Sequence, residues 1–392
     1  MMSWGMKSRF GKKVKLTTAV VMAAVLLLLA VSGCIKKQSA SQPQKVTVTD
    51  VAGRQVQVKI PADRVILHYT GSGGAFLTMF ALEGKDVTKK IAGWDNGLQV
   101  SRNDVYNKFV EAVPELANIP IVANTSDNTL NVENIISLKP DVVFIPNDAF
   151  DGAKDSVDRL TAAGISTVVI DFHKEILENH IKSIQLIGKI MGKDQRAQEI
   201  VDYYTDQVNK VYSRLATLNK PKPTVYFELG DKGPSTYGNS HSNSYMWGAM
   251  VAKCGGINIA EGKVAKSGQL NPEYIIKANP DVIIIGGSYW PKQPTSMKLG
   301  YTATVDTSRQ LLAGFTKRPG WDALNAVKNN RVYSVNHGLA RDIWDFVPIQ
   351  YIAKCLYPDD FKDLDPEASM KEFHQKFLPV EFSGVWTLNI KG

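Results

Sequence analysis

One pattern occurs twice in this chain, and it limits the fold more than any other feature. Asn131-Val-Glu-Asn-Ile-Ile-Ser-Leu-Lys-Pro-Asp-Val-Val-Phe-Ile145 and Asn271-Pro-Glu-Tyr-Ile-Ile-Lys-Ala-Asn-Pro-Asp-Val-Ile-Ile-Ile285 share Asn, Glu, Ile-Ile and Pro-Asp ahead of an apolar run. The copies lie 140 residues apart. Each reads as a short helix, a turn closed by Pro-Asp, and a buried strand. A unit repeated at domain-sized spacing predicts two lobes of similar construction.

The segments around the repeats follow the same style. Val46 to Ile60 alternates apolar and polar residues around Asp50-Val-Ala-Gly53, a hairpin signal. Val65-Ile66-Leu67 is a short apolar strand that runs into His68-Tyr69-Thr70-Gly71-Ser72-Gly73-Gly74. That glycine-rich turn matches neither a Walker loop nor GxGxxG. Strands at 91–94, 166–170, 224–229 and 331–335 alternate with helical stretches. Alternation of this kind builds βαβ units and mainly parallel sheets. Between the halves, Ala197, Ile200, Val201, Tyr204, Val208, Val211 and Leu215 recur at three- and four-residue spacing. Neither Pro nor Gly interrupts Asp194–Leu218, so this reads as one amphipathic helix of 25 residues, about 37 Å long. The fold class is therefore α/β: two similar lobes with mainly parallel sheets, and this helix as a candidate rigid connector between them.

The N-terminus carries an export signal. Lys7, Arg9, Lys12, Lys13 and Lys15 precede the 13-residue apolar run Ala19–Val31, which ends in Val31-Ser32-Gly33-Cys34. The run is too short to span a bilayer, and small residues before a cysteine mark a lipoprotein cleavage site with acylation of Cys34. The predicted division is a signal peptide at 1–33, a tether at 34–44, an N-terminal lobe at 45–193, the connector at 194–218 and a C-terminal lobe at 219–392. The net charge of +8 falls to +3 once the five basic residues of the signal are set aside. That balance gives no argument for nucleic acid. Past Cys34 only Cys254 and Cys355 remain, too few for a disulfide framework and without metal-site spacing.

These features together resemble the substrate-binding proteins of ABC importers for iron-siderophore, haem, cobalamin and related metal chelates. The first repeat, Cys254-Gly-Gly-Ile-Asn-Ile-Ala260, Arg331-Val-Tyr-Ser-Val335 and the long helix carry the likeness. The resemblance implies two Rossmann-like lobes joined by one long helix, a ligand in the cleft between them, and a connector stiff enough to permit only modest lobe movement. It places Glu133 and Glu273 as one docking glutamate per lobe, facing arginine pockets of a permease dimer served by ATPase subunits. The loops after the first strands of each lobe would line the cleft. On that basis His68, Tyr69, Trp94 and Arg102 are candidates from the N-lobe, and Tyr237, His241, Tyr289, Trp290, Arg341 and Trp344 from the C-lobe. Aromatic rings suit flat chelators, and arginine suits carboxylate or catecholate oxygens. Six scattered histidines are a poor set for a bare ion, so no direct metal site and no intrinsic cofactor is expected. The cargo is predicted to be a ferric or other metal chelate, with His68, His241 or His337 available to fill an open coordination position. No GxSxG, cysteine cluster or carboxylate pair suggests catalysis. The expectation is a monomeric, lipid-anchored capture protein on the outer face of the cytoplasmic membrane.

Overall fold

Two sheets carry the fold. The computed structural model describes residues 1–2, 44–71, 74–124 and 129–391, so nearly all of the signal, Cys34 and nearly all of the tether lie outside the described residues. Residues 43–392 form one compact unit. Strands β1 (Gln44–Thr49) and β2 (Gln55–Ile60) pair as the antiparallel hairpin that the alternation predicts. Then β3 (Val65–Leu67), β4 (Ile91–Asp95), β5 (Ile121–Asn124), β6 (Thr129–Leu130), β7 (Val142–Pro146) and β8 (Ser166–Ile170) form a sheet in the order β6-β5-β4-β3-β7-β8. All its pairings are parallel except β5 with β6.

In the second half come β9 (Thr224–Leu229), β10 (Ser240–His241), β11 (Ile257–Asn258), β12 (Ser267–Gly268), β13 (Val282–Gly287), β14 (Val332–Asn336) and β15 (Thr387–Asn389). The sheet order is β11-β9-β13-β14-β15, parallel except β14 with β15. A separate ribbon pairs β10 with β12.

The repeat does the same physical work in both sheets. Its asparagine caps its helix: the Asn131 side chain accepts from the Asn134 amide, and that of Asn271 from the Glu273 and Tyr274 amides. This satisfies amides that a helix N-terminus leaves without partners. Its aspartate pins the neighbouring parallel strand. Asp141 accepts from the Asp63 and Arg64 amides at the start of β3, at 2.8 and 3.0 Å. Asp281 accepts from the Thr224 amide and hydroxyl at the start of β9, both at 2.9 Å. The apolar runs β7 and β13 are wholly buried.

The long helix spans Asp194–Leu215, three residues shorter than the periodicity predicts. Ala216, Thr217 and Leu218 continue as tightened turns before Asn219-Lys-Pro. Its apolar stripe is buried from Ala197 to Val211 as read from sequence, with Gln207 added and Leu215 only half-buried. The helices Phe346–Leu356 and Pro366–Phe377, late in the chain, pack on it: Gln350 donates to Gln207, and Tyr203 lies edge-on to Phe346, Phe373 and Phe377. One apolar core consequently runs from the face of the first sheet, through this helical layer, to one face of the second. Cys254 and Cys355 are buried free thiols in that core.

Candidate functional site: the cleft between the lobes

Ligands of open parallel sheets sit beyond the carboxyl ends of the strands. Here those ends from both lobes face each other. After β3, Tyr69 occupies the left-handed region at φ 63°, a conformation that costs a non-glycine residue about 1 kcal/mol or more. Asp95, at the end of β4, holds it there. Its carboxylate accepts from the amides of Tyr69, Thr70 and Gly97 and from the Thr70 hydroxyl. The Tyr69 ring thereby sits 6.1 Å from the ring of His173, which follows β8.

The opposing wall comes from the second lobe. His241, on β10, stacks on Phe227 and meets Tyr245 edge-on. Gly248 has no room for a Cβ, which lets the helix Met246–Lys253 start hard against the His241–Ser242 backbone. His337 follows β14; Trp247 donates its indole N–H to His337 Nδ1 at 2.9 Å. An accepting Nδ1 leaves the ring proton on Nε2. Trp290 lies 6.4 Å from the same ring. Lys266, at the edge of β12, sits 4.3 Å above Tyr245 and bonds Asp148 of the first lobe at 2.7 Å.

Arg341 organises the electrostatics. Desolvation and then its charge push His173 down to about 3 and His241 down to about 4, and hold His337 well below the usual imidazole value. All three rings are therefore neutral at neutral pH, able both to donate and to accept. Arg341 in turn interacts with Tyr69 and Tyr245. The cleft thus brings the Arg341 guanidinium and the Asp148-paired Lys266 together with neutral imidazoles and phenols drawn from both lobes. Such a set is chemically suited to anionic oxygens and has lone pairs that a metal already held by another molecule could accept. Among the described residues, no three His, Cys, Asp or Glu side chains converge as a metal-binding group.

Of the residues singled out from sequence, Tyr69, His241, Trp290 and Arg341 come together here. Tyr289, beside Trp290, is half-buried. The others go elsewhere. His68 is buried behind Tyr69, 3.4 Å from Asp95. Trp94 lies in the N-lobe core against Phe76 and Tyr106. Trp344 is buried between His374 and Trp386. Arg102 is buried in an ion pair with Asp342 that joins the lobes, and Gly338 leaves space for its guanidinium to pass. Tyr237 stacks under Arg318, which is paired with Glu228, and accepts from the Trp321 indole inside a separate C-lobe core. Sequence reasoning missed Asp148, His173, Tyr245 and Lys266. The signal for His173 was present: it stands three residues beyond the apolar strand Ser166–Ile170. Glu133 and Glu273 are both exposed at the first turns of their helices, and Glu133 meets Arg159 at 2.6 Å.

This architecture has relatives. The profile of the periplasmic binding protein family matches residues 82–337. The crystal structure of FepB, a TroA-like periplasmic binding protein from Veillonella parvula, superposes with a TM-score of 0.84 at 49% identity, covering 88% of this chain and 99% of that one. The uncharacterized ABC transporter substrate-binding lipoprotein YvrC of Bacillus subtilis (strain 168) is 24% identical over 360 residues, 90% of this chain and 99% of that protein. The molybdate-binding protein MolA of Haemophilus influenzae is 25% identical over 328 residues, 76% of this chain and 82% of that protein. With its two-sheet fold and interlobe cleft, the chain belongs to the periplasmic binding protein family, as a TroA-like substrate-binding protein of an ABC transporter.

Proposed function

We propose that this protein captures an iron-siderophore-type metal chelate between its lobes and delivers it to the permease dimer of an ABC importer. It works as a lipid-anchored monomer tethered through Cys34 at the outer face of the cytoplasmic membrane. The observation that carries this reading is the guanidinium of Arg341, whose charge acts on His173, His241 and His337 and interacts with Tyr69 and Tyr245. An anionic chelate gains charge-assisted bonds from the arginine. Its metal can accept a neutral imidazole if the chelator leaves a coordination position open. The same donors would serve a haem, cobalamin or nickel chelate.

Delivery needs a docking surface. Glu133 and Glu273 occupy matching places in the two repeats and are exposed. They suit registration on a twofold-related pair of arginine pockets. The Arg159 bond to Glu133 is itself exposed, so exchanging it for a permease arginine costs little.

Trp290 and Trp247 make the cleft observable by fluorescence. Titration with ferric siderophores of each chemical class, haem, cobalamin, nickel-histidine, molybdate and free metal ions should give saturable quenching by a chelate. Saturation by a free ion alone, or turnover of a chelate, overturns the reading. Replacing Glu133 and Glu273 together by alanine should abolish uptake and leave binding intact; transport that survives removes their assigned role.

A further inference from the structure

Among the described residues, three ion pairs join residues 44–193 to residues 224–391, and they differ sharply in exposure. Arg102–Asp342 is buried, with side chains 3% and 4% exposed. His180–Asp345 is buried as well, at 2% and 0%. Lys266–Asp148 has side chains 55% and 25% exposed. Separating a buried pair strands charge in a low-dielectric interior, so the first two hold as fixed joints. An exposed pair is nearly balanced against hydration and is screened by salt. The third contact can therefore break while the others stay closed.

Its position gives that difference a use. Asp148 follows β7 and lies near His173, which it influences electrostatically. Lys266 precedes Ser267, the residue paired with His241 in the β10–β12 ribbon. The Lys266 carbonyl accepts from the Ser242 amide, and its ammonium lies over Tyr245. The lysine thus crosses from the wall that carries His241 to the wall that carries His173. Both imidazoles are buried in this state. We infer that Lys266 and Asp148 form a salt-sensitive gate on the cleft, and that the cleft opens by parting this pair about the fixed joints at Arg102–Asp342 and His180–Asp345. This deepens the capture reading and rests on it for its purpose, but its test needs no cargo.

The readout is carbethoxylation of individual histidines by diethyl pyrocarbonate, followed by peptide mass spectrometry on the whole exported chain. His180 and His374, buried away from the ribbon, serve as internal references. Lys266→Glu and Asp148→Asn should each raise the modification rates of His173 and His241 by about two- to fivefold, the range expected for an exposed pair. His180 and His374 should not change. Raising the salt to molar strength should have the same effect on the wild type and little on Asp148→Asn. Unchanged rates at His173 and His241 in both variants overturn the gate. So does a rise at all four histidines together, since that reports general loosening. Neither result depends on which chelate, if any, the cleft accepts.

Discussion

At the scale of single residues, charge placement decides what the cleft can hold. Burial, and then the charge of Arg341, keep the neighbouring imidazoles neutral, so on the proposed reading Arg341 is the main charged contact for an anion. Charged hydrogen bonds contribute roughly 1.5–3 kcal/mol. Arg341→Ala should therefore weaken binding of the chelate that quenches tryptophan by about ten- to a hundredfold in the same titration. His180 behaves in the opposite way to the cleft histidines. Burial opposes its charge, but Asp345 and Glu175 overcome that and hold it up at about 9, against an ordinary 6.5. Its contribution to stability is complete below about pH 6.5 and is lost as pH rises through 9. Thermal unfolding against pH should show this alkaline loss, and His180→Gln should flatten it. His173 and His241 carry the other sign. They are held neutral in the fold, and unfolding lets them take up protons below 6.5, so they weaken stability as pH falls towards 4 and below.

Among the elements, the repeat is the feature that explains itself most fully. Its asparagine starts a helix, and its aspartate sets a strand against its neighbour. Asp281→Ala removes an acceptor shared by the Thr224 amide and hydroxyl. The expected cost is about 2 kcal/mol, measured as a shift in the denaturant midpoint, and Asp141→Ala should cost a similar amount through β3. A loss below about 0.5 kcal/mol in both would show that the sheets hold register without these carboxylates. The connector ends early for a local reason. Its last carbonyls, with Pro221 close ahead, are satisfied by tighter turns instead of a continued helix.

At the scale of the whole compact unit, residues 43–392, two sheets share one large apolar core, with a further cluster of its own in each lobe. The apolar cluster crosses from lobe to lobe, and the helices Phe346–Leu356 and Pro366–Phe377 seal it against the connector. Calorimetry should show one cooperative transition, with calorimetric and van't Hoff enthalpies equal. Two separable transitions would mean that the lobes fold independently. Solution scattering with and without a saturating chelate should show only a small change in radius of gyration, because large closure would tear this core. Opening confined to the Lys266–Asp148 side is compatible with that constraint.

Periodicity alone was enough to determine the α/β class, the connector and the places of both repeats. Those patterns come from local physics: an amphipathic stripe, a cap, an apolar strand each need only near neighbours in the chain. The repeat also places Glu133 and Glu273 alike, each exposed in the first turn of an asparagine-capped helix. The cleft was only half legible. Tyr69, His241, Trp290 and Arg341, singled out through the family resemblance, lie near one another, whereas Trp94, Trp344 and Tyr237 share their residue types and are spent on packing. Which aromatic faces the cleft depends on what the opposite lobe offers, and that partner is more than a hundred residues away for Arg102 with Asp342 and for Lys266 with Asp148. Only the tertiary structure brings those partners together. It is therefore the tertiary structure that decides which charges are buried as joints and which one stays wet enough to open.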